Sequence, residues 1–188
     1  MPTSVGGPPP TTARQGRSNQ RYSDDGARLV AGCIPVRYKS GSGGADDVEV
    51  LLITSRGGKG WVFPKGGWEA DETVEAAAKR ETVEEAGVRG TIEHPKVGVF
   101  NFQSAKQARL NSTHQGRCAA HIFVLRVGEE LEAWPEHSQR QRRWMSLPDA
   151  TVSCRHQWMR DALTKWARSK GWEVPDADAE AAGAHALA

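Results

Sequence analysis

Between Gly66 and Val88 the chain reads GGWEADETVEAAAKRETVEEAGV, and its carboxylates recur at spacings that matter if the segment is a helix. With Glu81 as origin and about 100° per residue, Glu85 falls near +40° and Glu84 near −60°, so three carboxylates share an arc of about 100°. Ala77 and Ala78 occupy the same arc and leave it free of bulk. Like charges at i,i+4 repel by a few tenths of a kcal/mol on an exposed helix, to order of magnitude, and by far more once desolvated. A solvated face is the plain alternative, but such faces normally carry lysines at i+4. Here Arg80 is the base at hand, about 100° from Glu81 on the helical wheel. A hard, oxygen-seeking divalent cation answers the pattern better: Mg²⁺ takes one or two carboxylates and completes its shell with water and phosphate oxygens. The preceding Pro64-Lys65-Gly66-Gly67 supplies a turn whose bare backbone can approach an ion or a phosphate.

The elements that must position this helix follow from the rest of the pattern. Arg28–Tyr38 and Val48–Ser55 read as strands around the loop SGSGGADD, and Trp61–Phe63 as a short apolar segment before Pro64. The acidic helix is expected over Asp71–Ala86, with Gly87 ending it. Val97–Phe102, Ala119–Val127 and Arg143–Met145 are strand-like. In Arg155–Ser169, residues Trp158, Met159, Ala162 and Trp166 fall at helical spacing and predict a core-facing stripe. The order β-β-β-α-β-β-β-α argues for a mixed sheet with helices on its faces.

A chain of 188 residues has room for one domain of ordinary size, and 38% hydrophobic with 26% charged residues is a soluble globular balance. No apolar run approaches the roughly 18–20 residues of a membrane span, and no secretory signal pattern is present. Cys33, Cys118 and Cys154 are far apart and odd in number, which fits reduced thiols rather than a disulfide framework or zinc cluster. The net charge of +2 conceals a division: residues 69–85 hold seven acids and two bases, and residues 173–188 four acids, so the remainder is strongly basic. A metal site facing a polyanion would account for an acidic knot inside a basic body. Residues 1–21 are Pro/Gly/Ser/Thr-rich and are expected to be disordered, with a folded domain over 22–172 and a flexible acidic tail over 173–188.

The acidic stretch resembles the signature of the Nudix hydrolases, with Gly66, Glu72, Arg80, Glu81, Thr82, Val83, Glu84, Glu85, Ala86, Gly87 and Val88 in register. Thr82, where a bulkier aliphatic is common, is the departure. The resemblance implies an α/β fold, a single-domain Nudix-type α/β/α sandwich around a mixed β-sheet. It also implies Mg²⁺- or Mn²⁺-dependent hydrolysis of a diphosphate linkage. On this reading Glu81 and Glu85 hold the metal, the Lys65 backbone carbonyl completes its shell, and Glu84 is the candidate base. Glu72, Arg80 and Gly66 support them by orienting loop and helix. The cation would neutralise phosphate oxygens and lower the pKa of a bound water.

Further segments resemble the diphosphoinositol polyphosphate and diadenosine polyphosphate hydrolase branch, particularly plant-like members: Asn19–Tyr22, Arg28–Arg37, Trp61–Glu69, Leu131–Trp134 with Glu136, and Arg155–Met159. That likeness implies substrate contacts from Arg21, Arg28, Thr54, Ser55, Arg56, Lys65, Lys106, Arg140, Arg142 and His156. Val30 replaces a base of the animal enzymes, a loss for which Lys59, Lys65 and Arg155 could compensate. The expected partner is a small polyanionic phosphorylated substrate, with neither membrane nor nucleic acid, and a monomer is favoured. Alternatives are another nucleoside diphosphate derivative (ADP-ribose or capped RNA), for which Trp61, Trp68 or Phe102 could supply stacking, and a non-catalytic module that binds a phosphorylated ligand. The expected location is cytoplasmic or nuclear, with organellar targeting through the acid-free, arginine-bearing start as the alternative.

Overall fold

The computed structural model describes residues 7–8, 11–40, 43–104 and 116–174. Strand β1 (Arg28–Tyr38) is buried without interruption from Val30 to Val36, as a strand covered on both faces must be. It pairs in parallel with β6 (Arg117–Glu130) over Arg28–Val36, and antiparallel with β2 (Val48–Thr54) at its far end. Around this centre the sheet runs β3 (Trp61–Val62), β2, β1, β6, β5 (Val88–Gln103), with β4 (Lys65–Gly67) on β1 and β7 (Arg142–Ser146) on β2. One parallel pair among antiparallel ones makes the sheet mixed, and the chain between β1 and β6 contains α1 (Val74–Ala86). Helix α1 packs on β1 and β4, α2 (Leu147–Ser153) on β2, and α3 (Gln157–Ser169) on β5. The sequence-derived strand over Val97–Phe102 is the end of a longer β5 whose register shifts twice against β6. Met159, Ala162 and Trp166 of α3 are buried, while Trp158 lies flat on Phe102 with centroids 5.1 Å apart.

Helix α1 starts at Val74 rather than Asp71. The Thr73 hydroxyl accepts a hydrogen bond from Ala76 N–H at 3.1 Å, so Thr73 is the cap and Asp71 and Glu72 belong to the loop before it. Its end falls where expected: Gly87 is left-handed (φ 65°) and its N–H reaches the Val83 carbonyl. A side chain there would strike the Trp134 ring. The last-turn carbonyls of α1 find partners outside the helix. Trp134 Nε1 donates to Glu85 O at 3.3 Å, and Arg142 Nη1 to Ala86 O at 3.1 Å and Gly87 O at 3.0 Å.

Residues 11–21 depart from the disorder their composition suggests. Gln20 bridges to Glu69, Arg21 N–H donates to Trp68 O, and Ala70 N–H donates to Asn19 O. Backbone pairing and arginine contacts supply the order that apolar side chains do not.

Candidate functional site

Strand β4 lays Lys65, Gly66 and Gly67 along β1 and directly against α1. A Cβ on Gly66 would overlap the Glu81 carboxylate, so the bare backbone is what lets that side chain lie here. Glu85, one turn on, accepts from Lys65 N–H through Oε2 at 2.9 Å and from Arg140 Nη2 through Oε1 at 2.5 Å. Glu81 and Glu85 are both buried side chains, 12% and 11% exposed. Burial, then the charge of Glu85, raises the Glu81 pKa to about 8 despite Arg80 beside it. Burial likewise lifts Glu85, outweighing Arg140 and Lys65. Two desolvated like charges at one turn's separation require a proton or a cation between them.

Arg80 reaches further around the helix than its angular position suggests. Its guanidinium grips Glu72 at 2.8 and 3.0 Å, donates to Glu81 Oε1 at 2.7 Å and to the Gly67 carbonyl at 2.8 Å, and lies 3.5 Å from Glu84. Three methylenes carry the charge across an arc that Cβ directions alone would forbid. The three carboxylates therefore divide. Glu81 and Glu84 share Arg80 Nη1, at 2.7 and 3.5 Å; Glu84 also accepts the Arg14 N–H at 3.3 Å, and Glu85 is held by Arg140 and the Lys65 N–H. Burial raises Glu84 as well, against the pull of Arg80. Among the described residues no three His, Cys, Asp or Glu side chains form a ready metal cage. The Glu81–Glu85 pair still fits a hexacoordinate cation that keeps most of its waters, since such an ion needs only one or two carboxylates. For Lys65, it is the N–H that the structure ties to this pair.

The expected substrate contacts sort into two groups. Arg28, Lys65 and His156 stand together near the carboxylates. Burial, then Arg17, lowers the Arg28 pKa; burial, with Arg140 and Arg28 adding to it, lowers Lys65; burial, then Lys65 and Arg155, lowers His156. Arg28 and Lys65 repel one another, and Lys65 with Arg155 favours the neutral form of the His156 imidazole, the electrostatic mark of a surface that would receive an anion. Arg155 Nη1 lies 3.5 Å from Ser55 Oγ, at the edge of this group. The remaining residues serve the scaffold. Arg140 is buried and its guanidinium is spent on Glu136, Glu85 and the Thr54 carbonyl. Arg142 caps α1 and lies over the Trp134 ring at 4.2 Å. Arg21 donates to the carbonyls of Glu69 and Ala70 and covers Trp68. The Thr54 hydroxyl accepts from Gln141 N–H. Arg56, mostly exposed, pairs with Glu136 at 2.5 Å. Lys106 lies outside the described residues.

Two residues that contribute here were given no role in the sequence reading. Glu136 is buried beneath Arg56 and Arg140, with only its place in the segment Leu131–Glu136 to mark it. Arg14 bonds Glu69 and Asp71 from a stretch whose composition suggests no packing at all.

A mixed sheet flanked by helices thus carries a carboxylate-rich helix against the glycine strand β4, beside a group of cations, an arrangement suited to a phosphorylated ligand. Comparison with known proteins makes this specific. The NUDIX domain model matches residues 27–166. Nudix hydrolase 16, mitochondrial, of Arabidopsis thaliana is 50% identical over 167 residues, covering 84% of this chain and 91% of the relative. Nudix hydrolase 21, chloroplastic, of the same plant is 45% identical over 159 residues, covering 84% and 75%. Among solved structures, a C. elegans Ap4A hydrolase binary complex superposes with TM-score 0.59 at 21% identity, covering 76% of this chain and 97% of that one; this likeness concerns the fold. The chain belongs to the Nudix family and is a Nudix pyrophosphohydrolase. Enzymes of this family act on small phosphorylated substrates and generally use divalent cations. No described helix is long and apolar enough to cross a membrane.

Proposed function

We propose that this protein hydrolyses the diphosphate linkage of a small, highly phosphorylated substrate, a diphosphoinositol polyphosphate or a diadenosine polyphosphate, with Mg²⁺ or Mn²⁺ held by Glu81 and Glu85. The observation that carries this reading is the desolvated Glu81–Glu85 pair, with Lys65 N–H on Glu85, set beside the like charges of Arg28, Lys65 and Arg155. Such a pair takes up a divalent cation, and such a group of cations takes up a polyanion. When bound, the cation neutralises phosphate oxygens and acidifies a water molecule. Glu84, which shares Arg80 with Glu81 and meets the Arg14 N–H, is the candidate to receive that water's proton; its raised pKa brings it nearer neutrality, where a general base works best. Arg28, Lys65 and His156 orient the phosphates, and the Glu72–Arg80 pair fixes the loop before α1 relative to the helix.

The aromatic residues favour a substrate recognised by its phosphates. Phe102 is stacked on Trp158, and Trp68 is occupied by Arg21 and the His121 edge. A nucleobase seeking a flat partner at Phe102 or Trp68 would have to compete with these neighbours, which leaves Trp61 as the remaining candidate platform. The test is Mg²⁺-dependent phosphate release from a diphosphoinositol polyphosphate, diadenosine hexaphosphate and ADP-ribose in parallel. Glu85→Gln should lower the rate at least ~10²-fold without unfolding the protein, as loss of a ligand to a catalytic metal does. Ligand binding without turnover on any member of the panel would establish the sensor reading instead. For location, the arginines of residues 1–21 suit an organellar address, and the relatives named above are mitochondrial and chloroplastic.

A further inference from the structure

Behind Glu85 runs a line of alternating charge that ends at the surface. Arg140 donates to Glu85 through Nη2 and to Glu136 through Nε at 2.6 Å, and Arg56 closes on the other Glu136 oxygen at 2.5 Å. Glu136 is 4% exposed and Arg140 9%, whereas the Arg56 side chain is 63% exposed beside a cavity of about 540 Å³. The Glu136 N–H also donates to the Glu84 carbonyl at 3.1 Å, which hangs the loop after β6 directly on α1.

We infer that Glu136 is a positioning residue for the metal site: it balances Arg140, so that Glu85 stays both fixed in place and negative enough to hold a divalent cation. Unbalanced, the Arg140 guanidinium would press a full positive charge against Glu85 and oppose any cation arriving there. Burial pulls the Glu136 carboxyl upward, but hydrogen bonds from Arg140 and Arg56 prevail and hold it below the ordinary range, so it is fully charged at neutral pH. Glu136 also acts electrostatically on Glu84 and Glu85, and Arg56 on Glu81 and Glu85. Carboxylates behind a metal ligand commonly tune the metal in this way. The inference rests on the assignment of the cation to Glu81 and Glu85.

A charge line makes a prediction that mere packing does not: its two outer members have opposite effects. Mn²⁺ binding to the full chain, read without substrate by electron paramagnetic resonance of the free ion, should weaken about tenfold in Glu136→Gln. Arg56→Gln should tighten it at least twofold, to order of magnitude, by removing a cation from the line. Thermal melts report whether each variant folds. If Glu136→Gln does not fold, the exposed Arg56 variant decides alone: tighter binding supports the inference, while unchanged or weaker binding overturns it. A folded Glu136→Gln with unchanged affinity, or weakening in both variants, overturns it and leaves the metal assignment intact. No Mn²⁺ uptake by the unmodified chain overturns both.

Discussion

Replacing Gly66 by alanine tests the metal site with a single methyl group. Gly66 lies in β4 opposite Ala31, and its backbone is not left-handed, so alanine introduces no main-chain strain. The new carbon would instead meet Glu81 Oε2, Cδ and Oε1, all inside the 3.0 Å that real Cβ contacts respect. The strand cannot yield easily: β1 holds it on one side and Arg80 Nη2 grips the Gly67 carbonyl at 2.8 Å. The carboxylate must therefore swing by about 1 Å, and a displacement of that size at a reacting centre costs about 10²-fold in rate. Stability should move little, because leaving Glu85 relieves repulsion while the contact with Arg80 weakens; a net change near 1 kcal/mol would shift Tm by about 2–4 °C. Turnover under saturating Mg²⁺, Mn²⁺ affinity and a melt form the assay. Near-normal turnover with unchanged Mn²⁺ affinity in Gly66→Ala would show that Glu81 does not hold the ion, and the reasoning from this cradle would fail.

Acidification and metal removal should interact. Because the Glu81 pKa rises from 4.5 to about 8 on folding, the native chain retains a proton that the unfolded chain has lost, so the metal-free protein loses stability as pH rises through that window. Melts in EDTA should fall across this range, Mg²⁺ should flatten the slope, and Glu81→Gln should remove most of it; a slope unchanged in that variant would refute the assignment. Arg142→Gln strips charged hydrogen bonds from the carbonyls of Ala86, Gly87 and Leu131 and should destabilise the fold by about 1–3 kcal/mol. Denaturant unfolding measures this, and Arg142→Lys should not restore the loss, because an ammonium cannot span the three carbonyls.

What the sequence discloses and what it withholds divide by range. The helix from the acidic stretch, its stop at Gly87, and the bare backbone at Gly66 depend on neighbours within a few residues, and spacing exposes them, although Lys65–Gly67 is a strand paired with β1 and not the expected turn. The uninterrupted apolar run of β1 likewise announces a central strand. The destinations of the arginines do not follow from spacing. Arg140 and Arg142 are two residues apart, yet one is buried against Glu85 and the other caps the end of α1; that depends on where β7 enters the sheet beside β2. Arg80 defeats a helical wheel because its charge sits far from its Cβ. Glu136 and Arg14 come from a loop and a proline-rich start, where no periodicity points to a partner.

These long-range pairings set the charge around the carboxylates. Glu72, Glu81, Glu84 and Glu85 crowd around one end of α1 and its loop, and Arg80 and Arg140 are the guanidiniums set among them, while Arg56 answers Glu136 further out. Four carboxylates against two guanidiniums and the Lys65 ammonium leave the cluster short of positive charge, and the shortage is felt where the charge of Glu85 reaches Glu81. The remaining imbalance can be met by a proton on Glu81, which its raised pKa records, or by a divalent cation. On the proposed metal assignment, proton and cation compete for this shortage of charge, so Mn²⁺ affinity should fall as pH drops below the Glu81 pKa, while the stability of the metal-free fold rises.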